Sequence, residues 1–400
     1  MKSKTLQLCS TSLLAICAVA CGSDDEGTPS LPSGAADAVE NYADIVHASY
    51  EDSLETAQAL DAAIDSFVAA PSEAGLASAR TAWLASREPY LQTEVYRFYD
   101  GPIDNPDTDG PEGLLNAWPL DENYIDYVVG GEADDVEGMV NNPQMTIDKD
   151  AILGANEGID EKSISTGYHA IEFLLWGQDV DDDGPGNRPF SDYVTGAMGT
   201  AANQDRRGQY LATVSDLLVE NLQTLVDAWD PDGDDNYRVE FLALEPAEAL
   251  GKLMSGMIIL SGFETGSERL TAALEAGDQE EEHSCFSDNT HRDMVQDVRG
   301  VRNVWMGEYI RTDRREVSGM SVRDVIAAGD SAVAARVTAK IDESLSLAGD
   351  LEPPFDQEIA RGNEAGNARV NALIVSLFEQ REVLDEAFRV YGLTRIEDPE

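Results

Sequence analysis

The chain has 400 residues, of which 77 are Asp or Glu and 27 are Lys or Arg, so its formal net charge is −50. A chain this acidic repels polyanions, which argues against nucleic acid and anionic membrane surfaces as partners. A chain of this length can bury a large apolar core, and we expect it to divide into two units.

The first 20 residues have the pattern of a signal peptide. Two early lysines precede an apolar run at 13–20, which is about half the length that a bilayer-spanning helix needs. Ala18-Val19-Ala20 followed by Cys21 resembles a bacterial lipobox, although the same Ala-x-Ala also suits an ordinary signal peptidase. We expect acylation of Cys21 and a flexible tether over 21–36. The segment therefore predicts a cell-envelope lipoprotein anchored in the outer membrane, facing the periplasm or the cell surface.

Helical periodicity dominates the remaining sequence, and no convincing run of alternating strand residues is present. From Asp205 to Trp229, apolar residues repeat every three or four positions until Pro231-Asp232-Gly233 ends the pattern. Such lengths suit antiparallel bundles in which each helix buries one apolar stripe. The other predicted helices span 37–70, 73–99, 164–177, 238–276, 288–312, 321–348 and 356–391.

Two weakly similar halves are visible in the chain. Ala82–Glu88 resembles Val304–Tyr309, because each segment places a Trp in an amphipathic helix that ends in a polar turn. Asp230–Tyr237 is the predicted boundary, with helical halves over about 37–230 and 238–392. The predicted fold class is all-α, with two related antiparallel helical bundles packed together. The cleft between two bundles is a usual place for a site.

The segment at 163–178 is apolar and aromatic apart from a few polar residues, among them one imidazole and one carboxylate. His169 and Glu172 are three positions apart, so a helix places them on the same face. A buried carboxylate needs a metal ion, an arginine or a proton as its partner. The pair predicts a metal or ligand site; alternatively, the two side chains satisfy each other inside a core. Gly167 would allow a backbone or a ligand to approach closely.

Two donors do not complete a metal site, because catalytic zinc takes three protein ligands and structural zinc four. The only other concentrated source of donors is the block 282–293, which contains His283, Cys285, Asp288 and His291. We therefore predict that His283 and His291 are further metal ligands and that Asp288 supports the site. The alternative is a polar interhelix loop with a helix cap.

Three other acidic segments deserve a functional interpretation. Arg97 and Asp104 flank aromatic residues and could orient a site residue or bind an anionic ligand, or could simply fix a loop. Asp179–Gly184 and Asn105–Gly110 each match the start of a calcium loop, but neither has Glu at the twelfth position. Calcium is thus a further cofactor that the sequence allows.

Read together, these motifs resemble the imelysin family, whose GxHxxE motif matches Gly167–Glu172. The resemblance covers about residues 38–390. Its other parts are Arg87–Tyr90, Arg97–Asp104, Gly110–Gly113, Asn116–Asp121, Gly184–Pro189 and Glu281–Asp293, the last of which is similar to a block of the iron-regulated branch.

The resemblance implies two related helical bundles with a site at their interface, in an extracytoplasmic and often lipid-anchored protein associated with iron acquisition. Our first hypothesis is a binding protein for iron, zinc or an iron-bearing ligand, with iron-uptake proteins as possible partners. The second is a zinc peptidase that uses His169 and Glu172, with Glu282 as its general base. The third is a metal-free surface interaction module.

Overall fold

The computed structural model describes residues 29–107, 110–128, 138–180 and 184–399. The predicted signal peptide, Cys21 and the tether up to residue 28 lie outside these residues, as do parts of both acidic loops considered for calcium. Among the described residues, no helix combines the length and the apolar character that crossing a bilayer requires.

The first half is built around four long or fully buried helices. Helix α1 packs along α2 and α7, and α6 packs against α2 and α7. A three-residue turn joins α1 to α2, and Ser72 caps α2 by accepting a hydrogen bond from the Gly75 N–H. The elements are α1 (Ala35–Ala69), α2 (Glu73–Tyr90), a 3₁₀ segment (Leu91–Tyr96), α3 (Glu112–Leu115), α4 (Glu122–Ile125), α5 (Lys149–Leu153), α6 (Gly167–Trp176), a 3₁₀ segment (Phe190–Tyr193) and α7 (Gln204–Trp229).

In the second half α9, α11, α13 and α15 are the long helices, and α15 packs against α9 and α13. A π-helical segment continues α9 without a break. The elements are α8 (Tyr237–Leu242), α9 (Pro246–Ile259), the π segment (Leu260–Thr271), α10 (Ala272–Ala276), 3₁₀ segments (Gln279–Glu281 and Cys285–Ser287), α11 (Thr290–Met306), β1 (Glu308–Ile310), β2 (Glu316–Ser318), α12 (Val322–Gly329), α13 (Ser331–Gly349), α14 (Phe355–Ile359) and α15 (Glu364–Val390).

The all-α fold class is confirmed, and the differences from the sequence prediction concern helix ends. The helix predicted over 288–312 ends at Met306, because Gly307 adopts φ +64° and a short antiparallel hairpin follows, with Tyr309 opposite Val317. The helix predicted over 321–348 is two helices, because Asp330 accepts the first N–H groups of α13. The C-terminal prediction likewise divides into α14 and α15.

Each half contains one tryptophan that is buried and hydrogen-bonded. Trp83 in α2 and Trp305 in α11 are both completely buried, and each indole N–H donates to an oxygen of a neighbouring helix or its side chain, Tyr168 O and Thr338 Oγ1 respectively, both at 2.9 Å. One apolar core runs from Ala35 to Tyr391 through both halves. The halves therefore share a core and hold the surfaces between them in fixed positions.

Two glycines of the second half allow close backbone contact with the 3₁₀ segment Leu91–Tyr96 of the first half. A Cβ at Gly256 would lie 2.4 Å from the Val95 carbonyl oxygen, and one at Gly300 would lie 2.5 Å from that of Gln92. Real Cβ atoms do not approach backbone so closely, so any side chain would push the two halves apart.

We expect Gly300→Ala to lower the free energy of unfolding by roughly 1–3 kcal/mol, because the added methyl overpacks this contact. Gly349→Ala is the matched control, since that helical glycine has nothing within 4 Å of an added Cβ. The control is expected to be neutral or stabilising by up to about 1 kcal/mol. Urea unfolding of both variants tests this, and equal effects would contradict the close approach.

Candidate functional site

Helix α6 carries His169 and Glu172 in an entirely buried position at the boundary of the halves. Gly167 starts the helix with φ +86°, and a Cβ there would meet the Leu115 carbonyl oxygen at 2.6 Å. Only glycine fits this conformation and this approach, so Gly167 fixes where α6 begins beside α3. The role that the sequence suggested for Gly167, a close backbone approach, is what the geometry shows.

His169 and Glu172 bind each other rather than pointing side by side at a third group. His169 Nδ1 lies 2.8 Å from Glu172 Oε2. The other oxygen, Oε1, accepts hydrogen bonds from the N–H of Ser287 at 2.9 Å and from its hydroxyl at 2.6 Å. Both carboxylate oxygens are thus engaged. Ligation of a metal by Glu172 would have to displace one of these contacts, so the structure presents Glu172 as the group that orients His169.

His283 reaches the same place from the second half with the same arrangement. Its Nδ1 lies 2.8 Å from Asp293 Oδ2, and its ring meets that of His169 edge to face, with 5.0 Å between the ring centroids. The Nε2 atom of His169 is buried without a hydrogen-bond partner. His283 Nε2 has a contact of 3.4 Å with the Asn116 side-chain amide nitrogen. In each histidine, Nδ1 is therefore hydrogen-bonded to a carboxylate. Nε2 has at most one long contact.

Asp293, the partner of His283, is itself surrounded by hydrogen-bond donors. Its Oδ2 accepts from the Ser284 hydroxyl at 2.5 Å and lies 3.4 Å from Arg87 Nη2, while Oδ1 accepts from the Asn289 amide at 3.0 Å. Arg87 also donates to Asn116 Oδ1 at 2.6 Å. A carboxylate with this many donors is a fixed anion that orients His283.

Burial and charge decide the protonation of these groups. Burial would raise the pKa of Asp293, but Arg87 and the hydrogen bonds from His283 and Ser284 outweigh it and hold that pKa well below its usual range. Burial and the charge of Arg269 lower the pKa of His283 to about 4. Burial likewise lowers the pKa of His169 well below its ordinary value. Both imidazoles are consequently neutral at pH 7, as metal ligation requires.

A pocket of about 510 Å³ opens above the two histidines, between the halves. Asn116, Trp118 and His283 line it. His169 is completely buried next to this floor, with its ring centroid 5.0 Å from that of Trp118. The pair is therefore neither exposed to bulk solvent nor remote from the cleft, and a small ligand would reach His283 first.

Charged side chains form one wall of this pocket. Arg97 lies 2.9 Å from Glu94 and 3.5 Å from Glu264, and Arg269 lies 3.0 Å from Glu264. Glu264 and Arg269 are five residues apart, a spacing that the π segment places side by side. Burial opposes ionisation of Glu94, but both arginines lower its pKa to about 2. Arg97 thus lines the pocket, as a member of an ion-pair network.

Two other residues that the sequence suggested for the site, Asp104 and His291, make contacts outside the histidine pair. Asp104 accepts hydrogen bonds from the N–H groups of Phe98 and Gly101 and so fixes a turn. His291 Nδ1 contacts the Asp288 carbonyl oxygen at 3.1 Å, and within the described ranges no hydrogen bond or ion pair joins His291 to the other two histidines of the site. Ligation by His291 would need a rearrangement of α11.

Glu282 and Asp288 join Asp356 in a buried group of three carboxylates. Throughout the described part of the chain, this is the only group of three or more His, Cys, Asp or Glu donors close enough to hold one ion. The two-histidine site therefore has no third protein donor within that range. Cys285 is buried and free, and burial raises the pKa of its thiol well above the ordinary value.

Sequence reasoning missed several residues that build the site. Asp293 and Arg87 lie inside motifs that the sequence singled out, but the charged partner of His283 could not be chosen from spacing. Ser287, Asn116 and Trp118 also lie in segments that the sequence singled out, but nothing in the sequence assigns these three side chains to the site. These residues are close in sequence to unusual polar motifs, which indicates the segment. The sequence does not indicate which side chains contact each other in the folded protein.

These features describe an all-helical protein of two packed halves that meet at a pair of buried histidines. The family model for peptidase M75, imelysin, matches residues 46–384. The chain belongs to the imelysin family.

One curated relative and two solved structures are similar to this chain. The iron-regulated protein A of Synechococcus elongatus is 25% identical over 280 residues, which is 68% of this chain and 64% of the relative, slightly under two thirds of its length. A crystal structure described as an iron-regulated protein A precursor from Parabacteroides distasonis superposes with a TM-score of 0.68 at 19% identity, covering 91% of this chain and 97% of that chain. The crystal structure of an imelysin-like protein from Psychrobacter arcticum superposes with a TM-score of 0.63 at 13% identity, covering 92% of this chain and 99% of that chain. The two structures share the fold.

The protonation of Glu172 gives a pH-dependent stability. Burial raises the pKa of Glu172 to about 8, against the lowering effects of Ser287 and Arg87. Between the unfolded value of about 4.3 and this folded value, the folded chain holds a proton that the unfolded chain has lost. The stability of the wild type relative to Glu172→Gln is therefore expected to be largest at low pH and to fall towards pH 8.

The difference in unfolding free energy between the wild type and Glu172→Gln should decrease by at most about 1.4 kcal/mol per pH unit. Urea unfolding of both chelator-treated proteins at pH 5, 6, 7 and 8 measures it, and the subtraction removes the titration of all other groups. A difference that stays flat or rises with pH would contradict the raised pKa.

Proposed function

We propose that this protein is an extracytoplasmic, iron-associated member of the imelysin family that binds a transition-metal ion beneath the pocket between its halves. The protein ligands are Nε2 of His169 and Nε2 of His283. The observation that carries the proposal is the buried Nε2 of His169, which has no hydrogen-bond partner. A buried polar atom without a partner is costly, and a metal ion would satisfy it.

The two carboxylates support this assignment. Histidines that bind metals almost always donate their other ring N–H to a carboxylate, a carbonyl or water, which fixes the tautomer and the ring orientation. Glu172 and Asp293 stand in that position on His169 and His283. The donor set therefore fits a metal, with Glu172 as an orienting group in place of the direct ligand that the sequence suggested.

The charge of the pocket favours a cation over an anion. Six glutamates and two arginines line it, and both arginines are paired with carboxylates. A cleft lined by one sign of charge concentrates ions of the opposite sign. We infer that a free or partly hydrated metal cation enters here.

Two imidazoles leave most coordination positions open. Water or a metal-bearing small molecule would complete the shell, which suits reversible capture and delivery better than a closed structural site. Imidazole serves iron, zinc and copper alike, so the donor set does not select the metal. The preference for iron comes from the names of the relatives, which are iron-regulated proteins.

The N-terminal sequence supports a proposal for where the protein is located. We propose that Cys21 is acylated, that the lipid anchors the protein in the outer membrane, and that iron-uptake proteins are its partners. The lipobox-like residues before Cys21 and the polar tether behind it support this.

The geometry does not favour a peptidase in which Glu282 is the general base. Glu282 lies in the group with Asp288 and Asp356, and no hydrogen bond or ion pair of the described residues joins it to His169 or His283. A general base must be within hydrogen-bond reach of the water it activates.

The mature protein should bind about one iron or zinc ion per chain after loading. His169→Ala and His283→Ala should each lower the bound metal to about a tenth or less, because each removes one of two protein donors. His291→Ala is the matched control and should retain the metal.

Elemental analysis of the four proteins after dialysis measures this. Absence of bound metal under every loading condition would overturn the proposal, as would an equal loss in His291→Ala. Binding of another partner that survives exhaustive chelation would favour the metal-free interaction module.

Metal affinity should rise with pH. A lone pair at His169 Nε2 requires the proton on Nδ1, hence an ionised Glu172, and the pKa of Glu172 is raised to about 8. Titrations between pH 6 and 8 should show affinity increasing up to about tenfold per pH unit and levelling above pH 8. Glu172→Gln should bind metal with a flatter pH profile. Complete loss of binding in Glu172→Gln would indicate that Glu172 is itself a ligand.

A further inference from the structure

Three carboxylates from separate parts of the second half meet away from the histidine pair. Glu282 follows the 3₁₀ segment Gln279–Glu281, Asp288 follows Cys285–Ser287 with φ +55°, and Asp356 lies in α14. One oxygen of each lies within 4.8 Å of the others. The three residues, which we call the carboxylate cluster, are 0%, 5% and 5% exposed.

The cluster lacks compensating charge at its centre. Both oxygens of Glu282 and both oxygens of Asp288 are buried and form no hydrogen bond of good geometry, although the Thr290 hydroxyl interacts with Glu282 and the Asp179 carboxyl with Asp288. Neither side chain forms an ion pair with a Lys or Arg of the described residues. Asp356 accepts a hydrogen bond from the adjacent Gln357 N–H at 2.6 Å. Buried carboxylates normally have a partner, because an unpaired buried charge costs several kcal/mol.

Neighbouring acids add to the negative potential. Burial and the charge of Asp179, itself 3% exposed, raise the pKa of Asp288 to about 7. Three carboxylates buried this close together repel one another, and a bound cation would remove that repulsion.

We propose that the carboxylate cluster of Glu282, Asp288 and Asp356 binds a calcium ion. All three donors are carboxylate oxygens, the ligands of hard cations, and none is nitrogen or sulfur. Oxygens bound to calcium lie 2.3–2.6 Å from the ion, so opposite ligands are separated by about 4.8 Å. One oxygen of each carboxylate lies within 4.8 Å of the others, so all three can contact a single calcium ion. Magnesium gives up its waters reluctantly and is seldom held by protein oxygens alone, whereas these three carboxylates are almost closed to solvent.

Such an ion would also hold the wall of the histidine site. Glu282 precedes His283, and Asp288 follows Ser287, whose hydroxyl and N–H donate to Glu172. Binding at both ends of this short segment would fix the positions of His283 and Ser287. The calcium site nevertheless stands on its own donors and does not depend on a metal at His169.

Thermal unfolding of the chelator-treated mature chain, at pH 7.5 in 150 mM NaCl, tests the proposal. Calcium chloride should produce a saturable rise in Tm of about 3–6 °C, which excess EGTA reverses. Magnesium at the same concentration should produce a much smaller rise. Calorimetric titration should give about one calcium per chain.

Asp356→Asn and Glu282→Gln should each abolish the calcium-induced rise. Without calcium both variants should be at least as stable as the wild type, because each removes one of three mutually repelling carboxylates. Asp350→Asn, which changes an exposed carboxylate near the same helix, is the control and should keep the full rise. His169→Ala should also keep it, which separates this site from the histidine pair.

Three results would overturn the proposal. One is the absence of any calcium-dependent change in Tm or heat in the wild type. Another is an equal rise in Asp356→Asn, Glu282→Gln and the wild type, which would place the ion on the acidic surface. The third is an equal or larger effect of magnesium or manganese, which would assign the cluster to another cation.

Discussion

Asp293 is a completely buried anion at the boundary of the two halves, and the geometry of the site depends on it. It binds Arg87 of the first half and His283, Ser284 and Asn289 of the second. Removing one partner from a buried charged pair costs about 3–5 kcal/mol, because the other charge is left uncompensated. The same contacts orient His283 and connect it through Arg87 to Asn116. Burial and the charge of Arg269 keep His283 neutral against the pKa-raising effect of Asp293. The anion thus joins the two halves at the place where their histidines meet.

The pocket above this anion combines fixed charge with a distorted helix. The π segment interrupts the α-helical register between α9 and α10 and brings Glu264 beside Arg269, which also pairs with Glu94 and Asp297. Arg97 and Arg269 are paired with acids, and the pocket lining as a whole carries more glutamates than arginines. A cation would therefore be attracted by the entrance and then meet neutral imidazoles, whose low pKa values follow from burial and from the nearby arginines.

Much of the fold was predictable because long helices carry the 3.6-residue period, but their ends and distortions were not. Gly307 and Asp330 end or restart helices through local backbone geometry, which the apolar period of the sequence does not indicate. The π segment is a short departure inside a long helical stretch, so the period of the whole stretch does not reveal it. At the site, sequence identified the segments but not the contacts. His291 and Asp293 are two positions apart on α11 and point in different directions, so only the packing against α2 decides that Asp293 reaches His283. Asp356 had no sequence signal, because its partners lie about 70 residues away in the chain.

The central claim is that two histidines from different halves offer Nε2 to one metal ion while Glu172 and Asp293 hold their Nδ1 atoms. A crystal structure of the mature protein soaked with iron or zinc, with anomalous difference density recorded at the metal absorption edge, tests it most directly. The account predicts one peak bonded to Nε2 of both His169 and His283, with both carboxylates still on Nδ1. A peak bonded to the oxygens of Glu172, or density at neither histidine after soaking, would contradict it.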